Sequence, residues 1–97
     1  MSKAKRELEY ELKLFVSGAS PNSARAITNL QAILETHLSG RYSLTVTDVW
    51  QETAVAEQEQ IVALPLLIKV SPEPRRRMVG DMSNTQKVLE GLGLTDK

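Results

Sequence analysis

The sequence has 97 residues, which gives room for one hydrophobic core and predicts a single domain over residues 1–97. Its 41% apolar and 25% charged residues are typical of a folded protein and exclude a chain dominated by disorder. The 12 basic and 12 acidic residues give a formal net charge of zero. We therefore expect neither a general nucleic-acid binder nor a membrane-surface binder, because both need a basic excess.

The absence of cysteine excludes disulfides, thiolate metal sites and thiol catalysis. The basic start of the chain is followed by Glu7, Glu9 and Glu11, where a signal peptide would need an unbroken apolar stretch. No window approaches the roughly 18 consecutive apolar residues of a membrane span. These features together predict a cytoplasmic protein.

The first half of the chain predicts a strand, a helix and a second strand. Apolar residues alternate with polar ones over Leu8–Val16, which is the period of a strand. Ser20 and Pro21 are a favourable N-cap and first-turn pair, and an apolar stripe with three- and four-residue spacing follows as far as Ser39 and Gly40. Alternation resumes from Tyr42 to about Trp50. This order implies a parallel strand pair joined by a right-handed crossover.

The second half predicts two further strands between two further helices. Pro72 and Pro74 mark a turn between the strands, and Ser83 with Gln86 is the pattern of a helix-capping box. The resulting order, βαβαββα, is that of a minimal thioredoxin-like α/β domain. The predicted elements are a short helix over Thr53–Val62, a buried strand over Leu64–Val70, an edge strand over Arg75–Val79 and a last helix that carries Val88, Leu89 and Leu92.

The place of the catalytic cysteines in a thioredoxin-like oxidoreductase is held here by the segment Ser20–Ser23. A serine hydroxyl does not ionise at a helix N-terminus and forms no disulfide, so the segment is better interpreted as a capped helix start. His37, the one histidine, lies at the predicted end of the same helix. Asp48 is either a buried acid or, as we favour, a strand-end residue that binds water or backbone. We predict no enzyme, no metal and no cofactor.

A local basic patch is predicted where two strands meet in a hairpin. Arg75, Arg76 and Arg77 would lie beside Lys69 if the last two strands pair. Arginine forks match carboxylates, so the patch suits an acidic partner protein. An edge strand whose charges only prevent aggregation explains the same residues equally well.

Several segments resemble the KaiB circadian-clock family, in collinear order over roughly residues 11–92. The most specific are the first-strand segment with its Pro-Asn-Ser sequence, and the Gly-Asp-x-Ser-Asn segment with the arginines before it. The matching segments are Lys13–Val16 leading into Gly18, Ser20–Ser23, Ala63–Pro65, Pro72 and Pro74 with the arginines that follow, and Gly80–Asn84.

The resemblance implies a protein that binds the N-terminal ATPase ring of a KaiC hexamer. It also implies competition with a SasA-type histidine kinase and sequestration of KaiA. The partner-binding residues that we predict are Asn22, Asp48, Lys69 and Arg75–Arg77. A KaiB-like sensory or scaffold module that binds a histidine kinase or another signalling protein is the alternative function.

The resemblance further implies two interconvertible folds. One is a ground state, usually a homotetramer, with the order βαββααβ, and the other is a thioredoxin-like monomer that binds KaiC. We expect the monomer to dominate, because Arg75–Arg77 would be costly in a buried tetramer interface unless paired. The residues that we predict to govern the change of fold are Pro65, Pro72, Pro74, Gly91 and Gly93.

Overall fold

The computed structural model describes residues 9–61 and 63–94, whose elements follow the order βαβαββα. This order confirms the predicted thioredoxin-like α/β class and differs from the ground-state alternative. The strands are β1 (Tyr10–Val16), β2 (Tyr42–Asp48), β3 (Leu66–Ser71) and β4 (Arg76–Val79), and the helices are α1 (Pro21–Leu38), α2 (Thr53–Gln58) and α3 (Thr85–Leu92).

The four strands form one mixed sheet in the order β2-β1-β3-β4. Strand β1 pairs with β2 in parallel and with β3 in antiparallel orientation, and β3 pairs with β4 in antiparallel orientation. Strands β1, β2 and β4 therefore end at the same side of the sheet, where β3 begins. We call this side the C-terminal margin.

Helices α1 and α3 cover one face of the sheet. Helix α1 begins where predicted, because the Ser20 hydroxyl accepts a hydrogen bond from the Ser23 amide and Pro21 occupies the first turn. The main core lies between these helices and the sheet. It consists of Tyr10, Leu12, Leu14, Val16, Ala26, Leu30, Ile33, Leu34, Leu38, Leu67, Met82, Val88 and Leu92.

The opposite face carries a smaller core beneath α2, built on Phe15, Leu66 and Ile68. Helix α2 is shorter than predicted, since it ends at Gln58 and Gln60 takes a left-handed backbone conformation with φ of 55°. Val62, the predicted end of this helix, lies outside the described residues. The reason for the early end is local, because a residue with positive φ cannot continue a right-handed helix.

Other predicted boundaries shift by one or two residues, since β3 spans Leu66–Ser71 and β4 begins at Arg76. Strand β2 ends at Asp48, and Trp50 belongs to the turn that follows. Helix α3 is capped by Asn84, whose side chain accepts a hydrogen bond from the Lys87 amide at 3.1 Å. The capping box predicted at Ser83 is therefore wrong by one position, because the asparagine supplies the acceptor that the serine was expected to supply.

The residues expected to govern the change of fold occupy distinct places. The peptide bonds before Pro65, Pro72 and Pro74 are cis. Gly91 lies in α3 against Met78, and a Cβ atom there would clash with the Met78 sulfur. Gly93 ends α3 with φ of 77°, a left-handed conformation that favours glycine. Their role in a change of fold stays a prediction.

No helix among the described residues has the combined length and apolar character to cross a membrane.

A candidate protein-binding surface

Two large apolar side chains are exposed at the C-terminal margin. Trp50 follows β2 and is 73% exposed, and Val79 ends β4 and is 61% exposed. Leu66, the first residue of β3, pairs with Val79, so both exposed side chains belong to the same side of the sheet. Exposed aromatic residues are enriched at protein interfaces, so this margin is the best candidate for partner binding.

Asp48 holds the turn that carries Trp50. Its Oδ1 accepts hydrogen bonds from the Trp50 amide at 2.9 Å and from the Gly18 amide at 3.0 Å. The Asp48 carbonyl also accepts bonds from the amides of Gln51 and Glu52. These bonds match the predicted strand-end role of Asp48, and they join the turn after β2 to the turn after β1. The Trp50 backbone is thus held in one position.

The start of α1 lies on the same margin, beside a groove. Ser23 is 1% exposed, and its hydroxyl oxygen accepts from the Ser17 amide at 3.0 Å and from the Ser20 hydroxyl at 2.9 Å. These hydroxyls, at the place of the thioredoxin cysteines, are therefore used in structural hydrogen bonds. The groove encloses about 450 Å³ and is lined by Ser17, Ser20, Pro21, Asn22, Arg25, Leu64 and Pro65.

A polar network connects α1 to the loop before α3. Asn22 is exposed, and its Oδ1 accepts a hydrogen bond from Arg25, which also forms an ion pair with Asp81 at 3.3 Å. Asn29 donates to the Asp81 carbonyl at 2.9 Å. Hydrogen bonds from the Ser83 hydroxyl and amide, followed by the Arg25 contact, hold the pKa of Asp81 below its usual range. Asn22 is thus on the same margin as Asp48.

The predicted basic patch is divided between the two faces of the sheet. Arg77 donates at 2.9 Å to the carbonyl of Glu59, just beyond α2, and Arg75 forms an ion pair with the Glu59 carboxylate at 3.1 Å. Arg76 lies on the opposite face, because successive strand residues alternate. It pairs with Lys69 across the β3–β4 ladder. The three arginines are exposed, but they form no continuous basic surface.

Lys69 does not contribute to an exposed patch, and this part of the prediction is wrong. Its side chain is only 3% exposed, and its Nζ lies beside Gly93 at the end of α3. The partial negative charge of a helix C-terminus stabilises an ammonium group there. Burial, and secondly the charge of Arg76, lower the pKa of Lys69 from its usual value.

The structure therefore brings together only some of the predicted partner-binding residues. Asn22 and Asp48 share the C-terminal margin, whereas Arg76 begins β4 at the opposite side of the sheet, directly after Arg75. The exposure of Trp50 and Val79 was not predicted from the sequence. Asp48, two residues before Trp50, was the available signal for the exposure of Trp50, because an acid at a strand end favours a turn. Nothing in the local sequence marked Val79.

The described residues contain no group of three histidine, aspartate or glutamate side chains placed to hold a metal ion.

The fold and the margin together define a class: a thioredoxin-like domain with structural serines in place of the redox cysteines and an apolar exposed margin. The solved N-terminal domain of SasA from Synechococcus elongatus superposes with a TM-score of 0.71 at 23% identity, covering 93% of this chain and 89% of that domain. The thioredoxin Deadhead from Drosophila melanogaster has the same TM-score at 11% identity, covering 95% and 84%.

The family follows from closer sequence relatives. Residues 13–94 match the KaiB domain. The circadian clock oscillator protein KaiB of Picosynechococcus is 51% identical over 85 residues, which cover 88% of this chain and 82% of that protein. The protein of the same name from Thermostichus vulcanus is also 51% identical, and the match covers 88% and 79%. This chain belongs to the KaiB family, which confirms the resemblance seen in the sequence.

Proposed function

We propose that this protein is a non-enzymatic clock regulator that binds the N-terminal ATPase ring of a KaiC-type hexamer, acting through one domain formed by residues 1–97. The observation that carries the proposal is the 51% identity to circadian clock oscillator proteins over 88% of the chain. The match covers 82% of that relative, so it reflects nearly the whole of both proteins and not a shared fragment.

The arrangement of the elements supports this proposal. The resemblance assigns KaiC binding to the thioredoxin-like state, and the order βαβαββα is the one found in this structure. The two orders diverge after β2, and a helix over Thr85–Leu92 is expected of the thioredoxin-like state. The chain is therefore in the arrangement expected of the binding form.

The contact surface that we propose is the C-terminal margin, which includes Trp50 after β2 and Asn22 in the first turn of α1. Asp48 acts as a positioning residue, because its carboxylate holds the Trp50 turn through two backbone hydrogen bonds. Arg75 and Arg76, at the other side of the sheet, are placed to meet a second partner. We assign them to a carboxylate-rich surface of KaiA or of a kinase, because guanidinium groups bind carboxylates bidentately.

Competition with a SasA-type kinase follows from the same surface. A ring that accepts one thioredoxin-like domain through a given site excludes a second domain of that shape from the same site. The likeness to the SasA N-terminal domain shows a shared fold alone, and the competition is part of the proposal. The regulator would act in the cytoplasm, through the shape and charge of its surface.

The test is complex formation with a KaiC hexamer. The protein is mixed with the hexamer in each nucleotide state and separated by size exclusion, and we expect co-elution in at least one state. A matched pair of variants locates the surface: Trp50→Ala should lose co-elution, and His37→Ala, exposed at the other end of α1, should keep it. Separate peaks in every nucleotide state would refute the proposal.

A second candidate is a sensory or scaffold module that binds a histidine kinase without KaiC. The shared fold with the SasA N-terminal domain favours it. Titration of the purified chain against a kinase of this type and against a KaiC hexamer separates the two functions. Saturable binding to the kinase alone would support the second candidate.

A further inference from the structure

Lys69 combines deep burial with an amine that serves no structural bond among the described residues. Its side chain is 3% exposed. The ion pairs formed within residues 9–61 and 63–94 involve Arg25, Arg41 and Arg75, and none of them includes Lys69. Lysines are almost never this deeply buried unless they are paired. The amine is therefore a chemical group whose role the fold alone does not explain.

The position of Lys69 places its amine close to the edge of the sheet. In the register of the sheet it lies between Leu12 of β1 and Arg76, the first residue of the edge strand β4. Leu67, two residues earlier, belongs to the main core, so the Lys69 side chain lies on the same helix-covered face. Its Nζ lies 4.0 Å from the place of a Cβ atom on Gly93. The stem is thus covered by α3, and the amine lies near the end of that helix.

The acceptors at the end of α3 are bonded to donors other than Lys69. The Gly93 amide donates to the Glu90 carbonyl at 3.1 Å, and the Tyr10 hydroxyl donates to the Leu92 carbonyl at 3.2 Å. A lysine near a helix C-terminus often forms such bonds itself. Here the helix end supplies Lys69 with a partial charge but not with these hydrogen bonds.

The surroundings of Lys69 favour a neutral, nucleophilic amine. Arg76 pairs with it directly across the β3–β4 ladder, and like charges in that arrangement repel each other. Burial, and secondly the charge of Arg76, lower the pKa of Lys69. A lysine is activated as a nucleophile when it is desolvated or lies beside another cation. Lys69 meets both conditions.

We propose that Lys69 is a site of reversible modification by carbon dioxide. The lone pair of the neutral Nζ attacks the carbon atom of CO2 and forms an N–C bond, while one C=O electron pair moves onto oxygen. The amine proton passes to water, so the product is a carbamate with one negative charge. The step needs no oxidant, no reductant and no leaving group. The Arg76 guanidinium is placed to bind the planar carbamate oxygens, as it would bind a carboxylate.

Charge is the reason for choosing carbon dioxide as the reactant. The carbamate converts the repulsive pair of Lys69 and Arg76 into an attractive one, whereas an acyl group would give a neutral amide and leave Arg76 unpaired. Carbon dioxide is also small and uncharged, which suits a side chain that is 3% exposed. The end of α3 opposes the new negative charge, but it carries only about half an elementary charge, against the full charge of Arg76.

The test uses the full chain in 13C-labelled bicarbonate at constant pH and ionic strength. Carbon NMR detects the carbamate, and trapping with a trialkyloxonium salt followed by mass spectrometry identifies the modified lysine. We expect the adduct at Lys69 and its loss in Lys69→Arg. Arg76→Gln should reduce the occupancy about tenfold, because a hydrogen-bonded charge is lost. Arg77→Gln is the matched control on the opposite face of the sheet and should leave the occupancy unchanged.

A second measurement detects the adduct through stability. A ligand that binds the folded state raises the thermal midpoint, so bicarbonate should raise it relative to chloride in the parent but not in Lys69→Arg. The same scans verify that every variant folds. The absence of an adduct in the parent would overturn the proposal. So would modification of the exposed Lys87 to the same extent as Lys69, or equal occupancies in Arg76→Gln and Arg77→Gln.

Discussion

Replacement of Trp50 with alanine tests the proposed contact surface most sharply. A tryptophan side chain buries about 150–250 Å² when it is fully covered. Because 73% of Trp50 is exposed in the free protein, most of this area remains for a partner to cover. At about 25 cal/mol per Å², the covered area corresponds to at most about 3–4.5 kcal/mol of binding free energy.

The measured loss should be smaller than this ceiling, because the ordering of side chains at an interface costs part of the gain. We expect Trp50→Ala to weaken binding to the KaiC ring by about 2 kcal/mol or more, which is roughly thirtyfold in Kd. The stability of the free protein should change by less than about 0.5 kcal/mol, since an exposed side chain contributes little to the core.

Titration calorimetry or fluorescence anisotropy with the ring gives the Kd, and urea unfolding gives the free energy of unfolding. His37→Ala is the control, at an exposed position away from the margin. A Trp50→Ala protein that binds the ring within twofold of the parent would refute the placement of the surface. A large loss of stability in the same variant would refute the structural basis of the estimate.

Three further predictions concern the interior and the polar network. Lys69→Met should stabilise the protein at pH 7, because the folded state lowers the pKa of this lysine and so disfavours its charged form. Urea unfolding followed across pH should show that this gain in stability vanishes above about pH 10.5, the usual pKa of an exposed lysine. NMR of the Asp81 carboxyl carbon should give a pKa below the usual range, and Ser83→Ala should raise that pKa. The contribution of Asp81 to stability is present above its unfolded-state pKa and is lost as the pH falls through the folded-state pKa. An unchanged pKa in the variant would contradict the role of Ser83. Gly91→Ala should stabilise α3 by about 1 kcal/mol when Met78 is also replaced with alanine, and by less in the parent, where the new Cβ displaces the Met78 sulfur. A double-mutant cycle measured by urea unfolding compares the two backgrounds, and equal effects in both would exclude that contact.

Local patterns were sufficient to predict α1, but they extended β2 to about Trp50, two residues beyond its end at Asp48. The start of α1 depends on Ser20 and Pro21, and its buried face depends on spacing within the helix, so every determinant lies in adjacent turns. The end of β2 depends on the bond from Gly18 to Asp48, which are 30 residues apart in the chain. A local sequence pattern contains no information on a contact between residues so far apart in the chain.

The candidate site was predictable to a smaller extent than the fold. Alternation along the predicted strand Arg75–Val79 already places Arg76 on the face opposite Arg75 and Arg77, so the division of the basic patch was available from the strand period. The burial of Lys69 was not, because it depends on the position of Gly93 at the end of a helix that packs on the sheet. Glu59 as the partner of Arg75 likewise depends on how α2 lies over β4.

Backbone chemical shifts of the isotope-labelled protein, free and saturated with a KaiC ring, test most directly the claim that the thioredoxin-like form is the binding form. We predict helical shifts over Thr85–Leu92 and strand shifts over Arg76–Val79 in both samples, with the largest changes on binding at Asn22 and Trp50. Strand shifts over Thr85–Leu92 in the saturated sample would contradict the account.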